Sequence, residues 1–193
     1  MKKYSHVMVD LETLGVVADA VIMSIGAVKF DLETGDIDDA GFYASISIES
    51  NTEVKRRIQE DTLIWWIKQS AEAREVFTEP KDTLRNALVA LSDWIGNGQY
   101  EMWSNGADFD LPMLNHAYTQ HVIEIPWGPW SSNCMRTYKK LPGAAAFRPA
   151  FVGVKHHALS DAIHQVNTLH AIHAGLFLPA APAVTSKMKA KAK

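Results

Sequence analysis

Asp10 and Glu12 stand two residues apart in Val9-Asp10-Leu11-Glu12-Thr13, at the end of a short apolar run. In a strand, residues i and i+2 project from one face. The two carboxylates then lie side by side, which is unfavourable unless a cation offsets their charge. A second acidic motif is Asn105-Gly106-Ala107-Asp108-Phe109-Asp110. A third is His156-His157-Ala158-Leu159-Ser160-Asp161. Each motif has an ordinary alternative. The first can be a solvated strand end. Either Asp of the second can cap a helix. A single His is more often a surface or core residue than a ligand. Together they say more, because an α/β sheet gathers the ends of its elements at one edge. Four carboxylates in one place suit hard divalent cations with oxygen ligands, Mg²⁺ or Mn²⁺. Two such ions about 4 Å apart clamp the attacking and leaving oxygens of a phosphodiester. A neighbouring His has the proton affinity to activate water near neutral pH.

The elements that must position these groups follow from the hydrophobic pattern. Residues 4–10 alternate polar and apolar and end in acid, so they read as a strand. Residues 21–30 are β-branched and apolar, a second strand, and Thr34-Gly35-Asp36 is a turn. Residues 41–48 alternate again. These three strands, joined by short connections, are antiparallel neighbours. Residues 52–78 hold two or three short helices, with Asp61 and Ser70 as caps. In 82–95, Leu84, Leu88, Leu91 and Ile95 share a helical face. Residues 100–104 read as a fourth strand, 111–120 as a helix, and 122–125 as a short fifth strand. A helix is expected around 132–140 and the longest one over 157–176. The sum is an α/β domain over residues 1–178: a five-stranded mixed sheet, three antiparallel strands then two parallel, with helices on both faces. Residues 179–193, rich in Ala, Pro and Lys, read as a disordered tail.

Composition sets limits on the partner. The chain of 193 residues has 19 basic and 22 acidic side chains. Four of the basic ones lie in the last eight residues, so residues 1–185 carry 15 basic against 22 acidic groups. That excludes a body that binds nucleic acid or membrane by bulk positive charge. The single cysteine, Cys134, excludes an intrachain disulfide and suits a reducing, cytoplasmic location. No apolar run approaches a membrane span of roughly 18 residues, and acids at 10 and 12 interrupt any signal-peptide core. Five of the eight histidines lie between 156 and 173. No HExxH or paired-cysteine spacing accompanies them, which argues against zinc. No nucleophile elbow, P-loop or dinucleotide-binding glycine pattern is present.

Asp10-x-Glu12, Asn105-x-x-x-Phe109-Asp110 and His156-x-Ala158-x-x-Asp161 resemble, in order and spacing, the motifs of the DEDDh 3′–5′ exonucleases of the RNase H-like fold. The resemblance spans residues 4 to about 175. Asp61-Thr-Leu-Ile-Trp65-Trp66 and Trp103-Ser-Asn105-Gly106 are similar to the phage and bacterial subgroup of exonuclease VIII-like and RNase AS-like proteins. The resemblance implies an RNase H-like sheet, two Mg²⁺ ions (Mn²⁺ as a substitute) and release of nucleoside 5′-monophosphates from single-stranded RNA or DNA 3′ ends. It implies Asp10, Glu12, Asp110 and Asp161 as metal ligands and His156 as the general base. Asp108 competes with Asp110, and His157 with His156. The family pattern favours Asp110, which directly follows the aromatic, and His156, which leaves a four-residue gap to Asp161. For the terminal nucleotide it implies Thr13, Leu14, Gly15, Asn105 and Phe109, with Leu14 beside the last base. Trp66 and Arg136 are further candidates for substrate contact, and the subgroup suggests a homodimer. The competing class is a non-catalytic nucleic-acid-binding module of the same fold.

Overall fold

The computed structural model describes residues 4–178; the segment 179–193, expected as a disordered tail, lies outside the described residues. Its central strand is β1 (His6–Thr13). β1 pairs antiparallel with β2 (Ile22–Phe30) and parallel with β4 (Glu101–Ser104). β3 (Phe42–Ser45) flanks β2 antiparallel, and β5 (Ser132–Cys134) flanks β4 parallel. The order β3-β2-β1-β4-β5 is the expected five-stranded mixed sheet.

The period of two along β1 divides the molecule. Val7, Val9 and Leu11 pack on one side with Leu84, Leu88 and Leu91 of α3 (Leu84–Ile95) and with Leu114 and Tyr118 of α4 (Asp110–Gln120), once α1 (Ile48–Glu53) and α2 (Glu60–Ile67) have crossed over. Met8 packs on the other side, with Val28, Phe30, Ala162, Val166 and Leu169. The last three belong to α6 (Ala158–Phe177), which follows the single-turn α5 (Met135–Tyr138). Asp10 and Glu12 share the face of Met8 and therefore point towards α6. Each large apolar side chain that α6 buries contributes about 1.5–3 kcal/mol. That burial holds its acidic first turn against β1 despite charge repulsion.

Four local expectations are corrected. The third strand stops at Ser45 rather than 48, because Ser47 caps α1 by accepting a hydrogen bond from the Ser50 amide. Residues 122–125 are not a strand. Val122 has φ 53°, a conformation that a β-branched residue in a strand does not adopt, and its amide closes the end of α4 on Thr119. The fifth strand is instead Ser132–Cys134, inside the stretch read as a helix, and only Met135–Tyr138 is helical there. This edge strand is short and polar, so it has no alternating apolar signature. In the 52–78 region, Gln59 stands at the cap of α2, so Asp61 lies inside its first turn and is not the cap, and the Ser70 segment forms a 3₁₀ helix, Ala73–Phe77. No helix among the described residues is long and apolar enough to cross a membrane.

Candidate active site

The carboxylates meet where the C-terminal ends of β1 and β4 face the first turns of α4 and α6. Asp10 accepts a hydrogen bond from Gln165 Nε2 at 2.6 Å. Glu12 is buried one step further along the strand. Asp110, the first residue of α4, is also buried, and its Oδ1 accepts from the Leu11 amide at 3.1 Å. Asp161 lies in the first turn of α6, and its Oδ2 accepts from the His156 amide at 2.7 Å. Side-chain ligand atoms of Glu12, His156 and Asp161 all lie within 4.8 Å of one another.

The two open choices have distinct surroundings. Asp108 is exposed and lies 3.9 Å from the Arg136 guanidinium, whereas Asp110 faces the cluster. His157 caps α6 and stacks on Tyr43 with ring centroids 4.4 Å apart. His156 turns into the cavity, held in the left-handed region at φ 63°.

Charge repulsion marks the site. Burial pushes the Asp10 carboxyl well above its ordinary value, and Asp110, Glu12 and Asp161 push it further. Glu12 is raised by burial and then by Asp161 and Asp110. Asp110 is raised by burial to about 7, against the opposing hydrogen bond from Leu11. Asp161 is raised by burial, offset in part by the His156 amide. Among the described residues, none of the four forms an ion pair. Ionising buried carboxyls at such density is unfavourable unless a cation offsets their charge. The four carboxylates offer oxygen donors, which suit a hard divalent ion. The residues present therefore fit the metal site expected from the sequence.

A cavity of about 600 Å³ opens beside the cluster, lined by Thr13, Val16, Asn105 and Phe109 among others. Thr13 is tied down, its hydroxyl donating to the Gly15 carbonyl and its own carbonyl accepting from Trp66 Nε1. Leu14 does not line the cavity. Its buried side chain packs with Met23 and Trp66, and Gly15 is buried behind it. Val16, 65% exposed, holds the rim instead. Trp66 is buried against Phe77 and forms the inner wall. Trp65 presents the accessible ring, edge-on to His156 at 4.8 Å. Arg136 lies outside the cavity, beside Gly106 and Asp108. Gln165, which sequence reading passed over, lies four residues after Asp161, on the same helical face.

Residues 5–173 match the family described as the 3′–5′ exoribonuclease Rv2179c-like domain. The chain belongs to that family. Its class of enzyme is accordingly the 3′–5′ exonuclease. No curated protein matches the chain in sequence. In fold, this exonuclease is similar to the nuclease domain of 3′hExo, a DEDDh family member solved bound to rAMP. The TM-score is 0.61 at 13% identity, over 90% of this chain and 94% of that one. It is also similar to cell-death related nuclease 4, with TM-score 0.61 and 12% identity, covering 89% of this chain and 64% of that one. E. coli exonuclease I, in complex with a 5cy-dT13 oligonucleotide, gives TM-score 0.60 and 11% identity over 91% of this chain and 42% of its own. The exonuclease thus spans less than half of exonuclease I. The expected RNase H-like fold is borne out by these likenesses.

Proposed function

We propose that the protein hydrolyses single-stranded nucleic acid from the 3′ end and releases nucleoside 5′-monophosphates. Asp10, Glu12, Asp110 and Asp161 would hold two divalent ions, Mg²⁺ or Mn²⁺. When bound, these supply the positive charge that offsets the carboxylates and polarises the phosphodiester. The observation that carries the reading is the approach of Glu12, His156 and Asp161 within 4.8 Å, beside a cavity large enough for a nucleoside.

The chain's own groups divide the work. Asp10 is oriented by Gln165, and Asp110 by the Leu11 amide. Their aim is therefore set before substrate arrives. His156, fixed through its amide to Asp161 and flanked by Trp65, takes the proton of the attacking water at its ring nitrogen. Phe109 and Val16 offer apolar surface to the terminal nucleoside, and Asn105 a polar contact. Base contact with an aromatic ring contributes about 1–3 kcal/mol in single-strand sites. The family description favours RNA as the substrate.

The test uses 5′-labelled RNA and DNA homopolymers side by side, with Mg²⁺ or Mn²⁺. Stepwise shortening from the 3′ end, lost in Asp10→Ala, is the expected result. Absence of shortening, or activity that survives Asp10→Ala, refutes the reading.

A further inference from the structure

A second cavity, of about 540 Å³, adjoins the first and shares Asn105, Asp161 and Gln165 with it. Its chemistry is the opposite. Lys139, Arg148, Lys155 and His164 line it together with Phe151. Lys139 ends α5, Arg148 and Lys155 come from the segment leading to α6, and His164 belongs to α6 itself. The ring of Phe151 lies 4.8 Å from that of His164 and forms an aromatic wall.

Among the described residues, the side chains of Lys139, Arg148 and Lys155 make no ion pair. Burial and the neighbouring Arg136 and Arg148 push the Lys139 ammonium below its ordinary value. All three are exposed, and gathered round one cavity without acidic partners they make a positive patch that attracts an anionic ligand. It stands out further in a body with more acid than base. A second observation concerns the shared wall. Asn105 Oδ1 and Gln165 Oε1 are buried there without a hydrogen-bond partner. Both are acceptors that a ribose hydroxyl or a base N–H of a bound nucleotide would satisfy, while its phosphates face the cations.

We infer that this cavity binds the strand immediately 5′ of the scissile linkage, with Arg148 and Lys155 contacting phosphodiester oxygens and Phe151 offering a face to a base. The inference rests on the exonuclease reading and extends its substrate at least one nucleotide beyond the terminal one. The terminal nucleoside then occupies the apolar cavity, the scissile phosphodiester lies over the carboxylates, and the rest of the strand leaves through the cationic cavity. Contacts of this kind read the backbone and not the sequence. They are also sensitive to salt.

The test compares two substrates. One is a ten-nucleotide single strand. The other is the p-nitrophenyl ester of thymidine 5′-monophosphate, which has no nucleotide 5′ of the bond that breaks. In the double variant Arg148→Ala, Lys155→Ala, the ratio of kcat/KM for the strand to that for the ester is expected to fall about twentyfold. The slope of log KM for the strand against log salt should become shallower by roughly 0.7 for each lost contact. A ratio within twofold of the parent overturns the inference. Binding of the same strand, read by fluorescence anisotropy in EDTA, serves as a readout independent of turnover. It is expected to weaken at least tenfold in Arg148→Glu, Lys155→Glu, and undiminished binding overturns the cavity's role. Failure of the parent protein to hydrolyse either substrate refutes the exonuclease reading itself.

Discussion

Gly26 lies opposite Asp10 in the β1–β2 ladder, and the space where its side chain would be is filled by the first turn of α6. A Cβ at position 26 would overlap the backbone of Ala158 and Leu159. The helix that brings Asp161 and Gln165 to Asp10 can therefore approach only because this strand residue has no side chain.

Gly26→Ala should damage both the fold and the site. The obstructing atoms are main chain and cannot rotate away, so overpacking of about 1–3 kcal/mol is expected. In a chain of this size that lowers Tm by roughly 2–4 °C per kcal/mol. Displacement of Asp161 should reduce kcat at least tenfold. Thermal melting and the labelled-strand assay check the two effects together. A variant with parental Tm and activity would refute the close-approach argument.

Gln165→Leu removes the donor to Asp10 at similar volume. A hydrogen bond to a charged group contributes about 1.5–3 kcal/mol, so a kcat loss of about ten- to a hundredfold is expected. As Gln165 acts through Asp10, the Mg²⁺ concentration needed for half-maximal activity should rise in parallel. A loss of activity with unchanged metal dependence would assign Gln165 a different role.

His156→Asn separates chemistry from backbone. Asn tolerates the left-handed conformation that His156 adopts at φ 63°, so Tm should stay near the parental value. Loss of the base should still reduce kcat by about 10²–10⁴. His156→Val should lose the same activity and also lower Tm, since a β-branched residue there costs about 1–3 kcal/mol. Activity of His156→Asn within threefold of parental would refute the base assignment.

The four raised carboxyls couple stability to pH. A carboxyl whose folded-state pKa lies above its unfolded value binds more protons when folded. Its favourable contribution is present at low pH and is lost as pH rises from the ordinary carboxylate range through the folded value, about 7 for Asp110. The metal-free protein should thus melt higher at pH 5 than at pH 8, with about 1.4 kcal/mol at stake for each pH unit over which one such group is displaced. Mg²⁺ binds the ionised form and should raise Tm more at pH 8 than at pH 5. Scanning calorimetry with EDTA and with Mg²⁺ at both pH values checks the sign. The reverse order would mean that the carboxylates are already compensated.

The adjacent tryptophans should respond differently. Trp66→Ala removes a fully buried ring bonded to the Thr13 carbonyl, so a destabilisation of about 3–5 kcal/mol is expected. Trp65→Ala removes a ring that is 41% exposed beside His156, so KM should rise several-fold with little change in Tm. Urea melts and substrate titrations distinguish the two.

The sheet was legible where side chains follow a simple period. The alternation in β1 and the apolar stripes of α3 and α6 lead to the observed elements and faces. β5 was not legible, because Ser132, Asn133 and Cys134 gain their strand conformation from pairing with β4 and not from their own pattern. The acidic motifs were legible as residue types at fixed spacings. Side-chain direction in irregular segments was not. The Thr13-Leu14-Gly15 stretch follows a register shift in the β1–β2 pairing between Glu12 and Thr13, past which the strand period no longer applies; Leu14 lies in the core and Val16 at the rim. Gln165 could have been found from its four-residue spacing to Asp161, and Gly26 from its interruption of a β-branched strand.

The bond from the Leu11 amide to Asp110 joins a carboxylate to main chain, ninety-nine residues away in sequence. Its geometry does not depend on which side chain occupies position 11. Aliphatic drift there can retune the packing beneath β1 while the carboxylate keeps its aim, and proline, which has no amide hydrogen, is the one replacement that would release it. The contact is therefore written into the backbone of β1 and not into the side chain that position 11 carries.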